Sequence, residues 1–134
     1  MTVAAATALV CPGDTFIIDP SILGSRDHLW VVLFVRIPDY AYVEYASIVN
    51  VTSLTRFADR TCLLGPSDID RHPFVTHDSY VYYAAMREIE VAELLLVVVA
   101  KQHDPTCDAL LTRMRNGVHL SPRTARGFKS YMPR

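Results

Sequence analysis

His28-Leu29-Trp30-Val31-Val32-Leu33-Phe34-Val35 is the stretch whose reading decides the fold. Its leucine, β-branched and aromatic residues run without a polar break, the pattern of a strand covered on both faces. In a chain of 134 residues, the length of one domain, such a strand belongs at the centre of a small barrel. Upstream, Cys11-Pro12-Gly13-Asp14 is a turn, and Thr15-Phe16-Ile17-Ile18-Asp19 a short strand ended by Pro20. Ser21 to Asp27 then forms a polar loop carrying Gly24 and Arg26. Downstream, Pro38-Asp39 turns the chain into a long strand from Tyr42 to Thr52, with Asn50, Thr52 and Ser53 at its far end.

Leu54 to Arg60 reads as a loop, Thr61 to Leu64 as a short strand, Gly65 to Asp70 as a turn-rich loop, and Ser79 to Ile89 as a further strand. Close-spaced strands with turn chemistry between them, and no βαβ alternation, define a mainly β (α+β) class. The expected architecture is a small barrel or sandwich with C-terminal helices. Glu90 to Gln102 fits either a strand or a helix. Asp104-Pro105 carries an N-cap and first-turn signature, with Leu110, Leu111 and Met114 on one face of a helix closing at Gly117. Ser121-Pro122 repeats the signature for a last helix through Tyr131. The whole chain is expected to be one domain, with a barrel over 11–90 and a basic helical tail over 91–134 packed on it.

Charge is uneven along the chain. From Lys101 onward Arg113, Arg115, Arg123, Arg126, Lys129 and Arg134 face only Asp104 and Asp108, whereas the first hundred residues hold twelve acids and six arginines. Such a tail either contacts nucleic acid or complements the acidic body it packs on. Cys11, Cys62 and Cys107 are odd in number and far apart, which argues for a reducing compartment, the cytoplasm. Met1 to Val10 lacks a basic n-region and reads as a loose arm or edge strand rather than a signal peptide. The longest apolar run, Leu94 to Ala100, is far short of a membrane span.

Chemistry concentrates in Arg71-His72-Pro73-Phe74-Val75-Thr76-His77-Asp78-Ser79-Tyr80. Histidine's ordinary pKa lies near neutrality, so two imidazoles within a turn of each other invite acid–base work. The plainer reading is a turn whose histidines cap backbone groups. A zinc site from Cys62, His72, His77 and Asp78 lacks any compact ligand spacing, and a Cys62–His nucleophile has a cysteine set among apolar neighbours.

The order of these pieces resembles the PemK/MazF-like family of toxin endoribonucleases. The resemblance lies in Pro12-Gly13-Asp14-Thr15-Phe16-Ile17-Ile18-Asp19, His28-Leu29-Trp30-Val31-Val32-Leu33 and Ser47-Ile48-Val49-Asn50-Val51-Thr52, and covers about residues 11–90. It implies an SH3-like barrel, a homodimer, metal-independent cleavage of single-stranded RNA without a cofactor, and a cognate antitoxin protein. The family has an arginine directly before the second strand, where this chain has His28 with Arg26 two positions earlier.

For RNA cleavage of this kind a base takes the ribose 2′-OH proton, an acid protonates the departing 5′-oxygen, and a donor holds the phosphate charge. The expected catalytic residues are His28, His72, His77 and Thr52. Substrate contacts are expected from Arg26, Asn50, Ser53 and Ser79, with Tyr40, Tyr42 and Tyr45 available for a dimer seam. A non-catalytic barrel module binding a protein or nucleic acid is the competing expectation.

Overall fold

The computed structural model describes residues 10–18, 28–101 and 104–134. The expectations placed on residues 1–9, on 19–27 (Arg26 among them) and on Gln102 lie outside the described residues. Among the described residues six strands form one antiparallel sheet: β1 (Thr15–Ile18), β2 (Leu29–Arg36), β3 (Tyr45–Ser53), β4 (Leu63–Leu64), β5 (Ser79–Glu90) and β6 (Val98–Lys101). Their spatial order is β4-β5-β3-β2-β1-β6. Helix α1 (Val91–Val97) joins β5 to β6, and α2 (Asp108–Leu120) and α3 (Arg126–Tyr131) follow. The stretch after Glu90 thus supplies both a helix and a strand. The ladder runs from β4 to β6, and among the described residues no pairing joins those two edges.

The unbroken apolar run of β2 has the cause its composition implies. Leu29, Val31 and Leu33 enter one core, while Trp30 and Val32 enter another on the opposite face. The first core adds Val49, Val51, Val81 and Tyr83 and is covered by Leu110, Leu111, Met114 and Val118 of α2. The second joins Phe16, Ala46 and Ile48 to Val91 and Leu94 of α1. Register shifts place an extra residue in β2 between Val32 and Phe34, and extra residues in β5 between Tyr82 and Arg87, and bend both strands.

The tail departs from its expected boundaries. Asp104-Pro105 does not cap α2, which starts at Asp108 behind Cys107. The Asp104 carbonyl instead accepts hydrogen bonds from His72 and from the Thr15 hydroxyl. Gly117 lies inside α2 rather than closing it. A Cβ there would meet the Tyr83 hydroxyl at 1.9 Å, and that hydroxyl donates to the Met114 carbonyl at 2.7 Å. Glycine is therefore required by close approach of helix and sheet, not by a turn. Ser121 ends α2, its backbone N–H bonding to the Gly117 carbonyl, and the last helix begins only at Arg126.

One arginine of the tail, Arg113, does complement the acidic body. Arg113 reaches Asp70 at 2.8 Å, Asp68 at 3.1 Å and the Leu63 carbonyl at 2.7 Å, pinning the 65–70 loop to α2. Among the described residues no helix is long and apolar enough to cross a membrane.

Candidate functional site

Antiparallel pairing carries the polar end of β3 to the start of β5: Asn50 faces Tyr82, Thr52 faces Tyr80 and Ser53 faces Ser79. Short polar side chains close β3, and the segment 76–78 delivers the chain back into β5 beside them. At that end the Ser53 Oγ and the His77 Nε2 lie 2.7 Å apart, and both residues are exposed. The Thr76 hydroxyl lies 3.4 Å from the other ring nitrogen. Ser79, buried, donates from its hydroxyl to the His77 carbonyl at 2.9 Å and so fixes the backbone that presents the imidazole.

Thr52 and Asn50 are two apart on one strand face, and the Thr52 hydroxyl donates to the Asn50 side-chain oxygen at 2.6 Å. With its proton engaged there, Thr52 orients Asn50 and keeps only lone pairs to offer. The β2–β3 register pairs Leu29 with Val51 and Trp30 with Asn50. Carried back one residue, it sets half-buried His28 opposite Thr52, on the face of Trp30. Six expected residues therefore reach one end of the sheet, on its two faces: Asn50 and Thr52, with His28, on the face of Trp30, and Ser53 and Ser79, with His77 bonded to Ser53, on the face of Val51 and Val81.

His72 does not join them. It is buried on the helix-covered side, beside Val75 of the first core. Its Nε2 hydrogen-bonds the Asp104 carbonyl, and its Nδ1 accepts the Phe74 N–H at 3.0 Å. Both ring nitrogens hold backbone, the plainer reading weighed for it above. His28, on the Trp30 face, and His72 thus sit on opposite sides of the sheet, and the expected catalytic set of His28, His72, His77 and Thr52 is corrected: His72 is not part of one site with His28. Cys62 is buried in the first core, and burial pushes its thiol up, away from the nucleophilic thiolate. Among the described residues no three His, Cys, Asp or Glu side chains gather as metal ligands.

Two features of this end escaped the sequence reading. Tyr80 and Tyr82 of β5 lie on the face of Thr52 with ring centroids 5.8 Å apart, Tyr80 buried and Tyr82 exposed. The loop after Ser53 exposes the Phe57 ring, and Arg123 from beyond α2 donates to the Phe57 carbonyl at 3.1 Å. A phenylalanine flanked by Arg56 and Arg60 in a polar loop was the available signal.

Comparison with protein-family models, with curated proteins and with solved structures found no match to this chain.

Proposed function

We propose that this chain is a metal-independent endoribonuclease of the PemK/MazF-like toxin type, working on a partly open SH3-like barrel. What supports this reading is the arrival at one sheet end of the Ser53–His77 pair and, on the other face, of the Asn50–Thr52 pair with His28 in register opposite Thr52. His77 and His28 share the two proton transfers: one takes the 2′-OH proton as the 2′-oxygen attacks phosphorus, the other protonates the departing 5′-oxygen. The products are a 2′,3′-cyclic phosphate and a 5′-hydroxyl. Ser53 holds the His77 ring, Ser79 its backbone, and the Asn50–Thr52 pair frames the floor. Arg26, close to His28 in the chain, is the guanidinium assigned to the phosphate charge.

On the same reading the chain acts in the cytoplasm as a homodimer restrained by an antitoxin. Tyr40, Tyr42 and Val43, with Leu95 and Leu96 of α1, offer exposed apolar surface for either contact.

The test is incubation of the purified chain with end-labelled single-stranded RNA in excess chelator. Cleavage leaving cyclic-phosphate ends is expected. Intact RNA at high protein concentration would remove the enzyme reading in favour of a binding module on the same sheet. That second reading draws on one observation, the absence of an arginine directly before β2.

A further inference from the structure

The loop over residues 54–60 leaves β3 at the proposed site and is held at both ends. The Leu54 N–H bonds to the Asp78 carbonyl at 3.0 Å, next to His77. Further on, Ala58 and Asp59 are buried. The Asp59 carboxylate accepts from the Thr61 N–H at 3.0 Å, from the Thr61 hydroxyl at 2.6 Å and from the Ser121 hydroxyl at 2.5 Å. Anchored this way, the loop turns Arg56, Phe57 and Arg60 outward. Phe57 is 72% exposed, an unusual position for a phenylalanine in a loop clamped from beneath. The Arg56 guanidinium sits over its ring at 4.8 Å from the centroid. Arg123, also exposed, completes the rim through its bond to the Phe57 carbonyl.

We infer that this loop is a binding subsite for single-stranded nucleic acid, with Phe57 stacking on a base and Arg56, Arg60 and Arg123 contacting flanking phosphates. The Arg56 guanidinium lies over the ring, Arg123 holds the Phe57 carbonyl and exposed Arg60 follows three residues on, while the single acid of the loop, Asp59, points inward to hydrogen-bond donors. That is the charge complement of a polyanion carrying flat apolar bases. A protein partner would call for a contiguous apolar centre, and here one ring stands among cations. Anchoring at Ala58 and Asp59 presents the ring with little further ordering cost. The subsite rests on the reading of the neighbouring sheet end as one that handles RNA, but shares none of its proton-transfer residues, so the two can fail separately.

The experiment measures anisotropy of a 5′-fluorescein-labelled uridine decamer titrated with the full chain carrying His77→Ala, so that RNA is bound and not consumed. Added Phe57→Ala should weaken binding by roughly 5- to 150-fold, the range for one stacked base, without altering the salt slope. Added Arg56→Ala with Arg60→Ala should flatten the slope of log K against log salt by about 1.4, two phosphate contacts on a single strand. Circular dichroism of each variant confirms folding, expected for exposed positions. Affinities within twofold of the parent, or no binding by the parent, would overturn the subsite. So would a polyglutamate tracer that binds as tightly as RNA and ignores Phe57, since the patch would then be a dock for acidic protein. RNA cleavage by the wild-type chain alongside undiminished binding by the loop variants would sink the subsite and leave the nuclease reading standing. Absent cleavage with lost binding would do the reverse.

Discussion

His72 and His77 are five residues apart, and the fold gives them opposite work. His72 faces the helix-covered side, where both ring nitrogens hold backbone and the first core closes around it. His77 stands at the open end of the sheet, exposed, with Ser53 on one nitrogen and a serine fixing its carbonyl. The difference teaches that a histidine's chemistry follows from what its nitrogens already hold and from its access to solvent. On this account the helix-covered face carries stability and the sheet end carries reaction, so substitutions should separate the two.

The sharpest separation comes at His77. Replacing it with alanine should lower RNA cleavage by about a hundred- to ten-thousandfold, the range for one general acid or base, while thermal unfolding stays near wild type. Parallel cleavage and melting curves check both halves. The helix-covered face should respond the other way. Gly117→Ala pushes a methyl into Tyr83, so it should lose about 1–3 kcal/mol in urea unfolding, although alanine in an open helix would gain about 1. Greater stability in this variant would contradict the helix–sheet packing.

At the seam between the two regions, Asp59 links the loop to the end of α2. Burial pushes its carboxyl up, but hydrogen bonds from Ser121 and Thr61 and the charge of Arg123 outweigh this and leave it below the usual value of 3.8. A carboxyl lowered on folding stabilises above its unfolded pKa and loses that contribution as pH falls through the folded value. Ser121→Ala should therefore cost most near neutrality, and its deficit should narrow below about pH 4, measured by denaturant midpoints across pH. The smallest effect is expected from Ser53→Ala. Loss of one positioning hydrogen bond should slow cleavage roughly two- to tenfold, with His77 still present.

Much of the sheet was legible because its cause is local. An unbroken apolar run marks burial on both faces, and Leu29 to Leu33 is covered on both. The ends of α2 were not legible, since distant partners decide them. Asp104 has the chemistry of a cap, but its carbonyl is taken by His72, 32 residues upstream, and the helix starts later. Gly117 resembles a helix stop, but Tyr83 from the sheet is what requires it. The polar end of β3 was readable from Asn50, Thr52 and Ser53 alone, and pairing with β5 then brought His77 to it. Nothing in the 71–80 segment distinguishes its two histidines. The carbonyl that buries one and the serine that meets the other both lie elsewhere in the chain.

The division of labour between those two histidines is tested most directly by one paired measurement: cleavage rate per folded molecule for His77→Gln and His72→Gln, with the folded fraction taken from denaturant curves on the same samples. The account predicts that His77→Gln folds and fails to cleave, whereas His72→Gln is less stable yet cleaves at nearly the wild-type rate per folded molecule. Equal cleavage by both variants, or loss confined to His72→Gln, would contradict it.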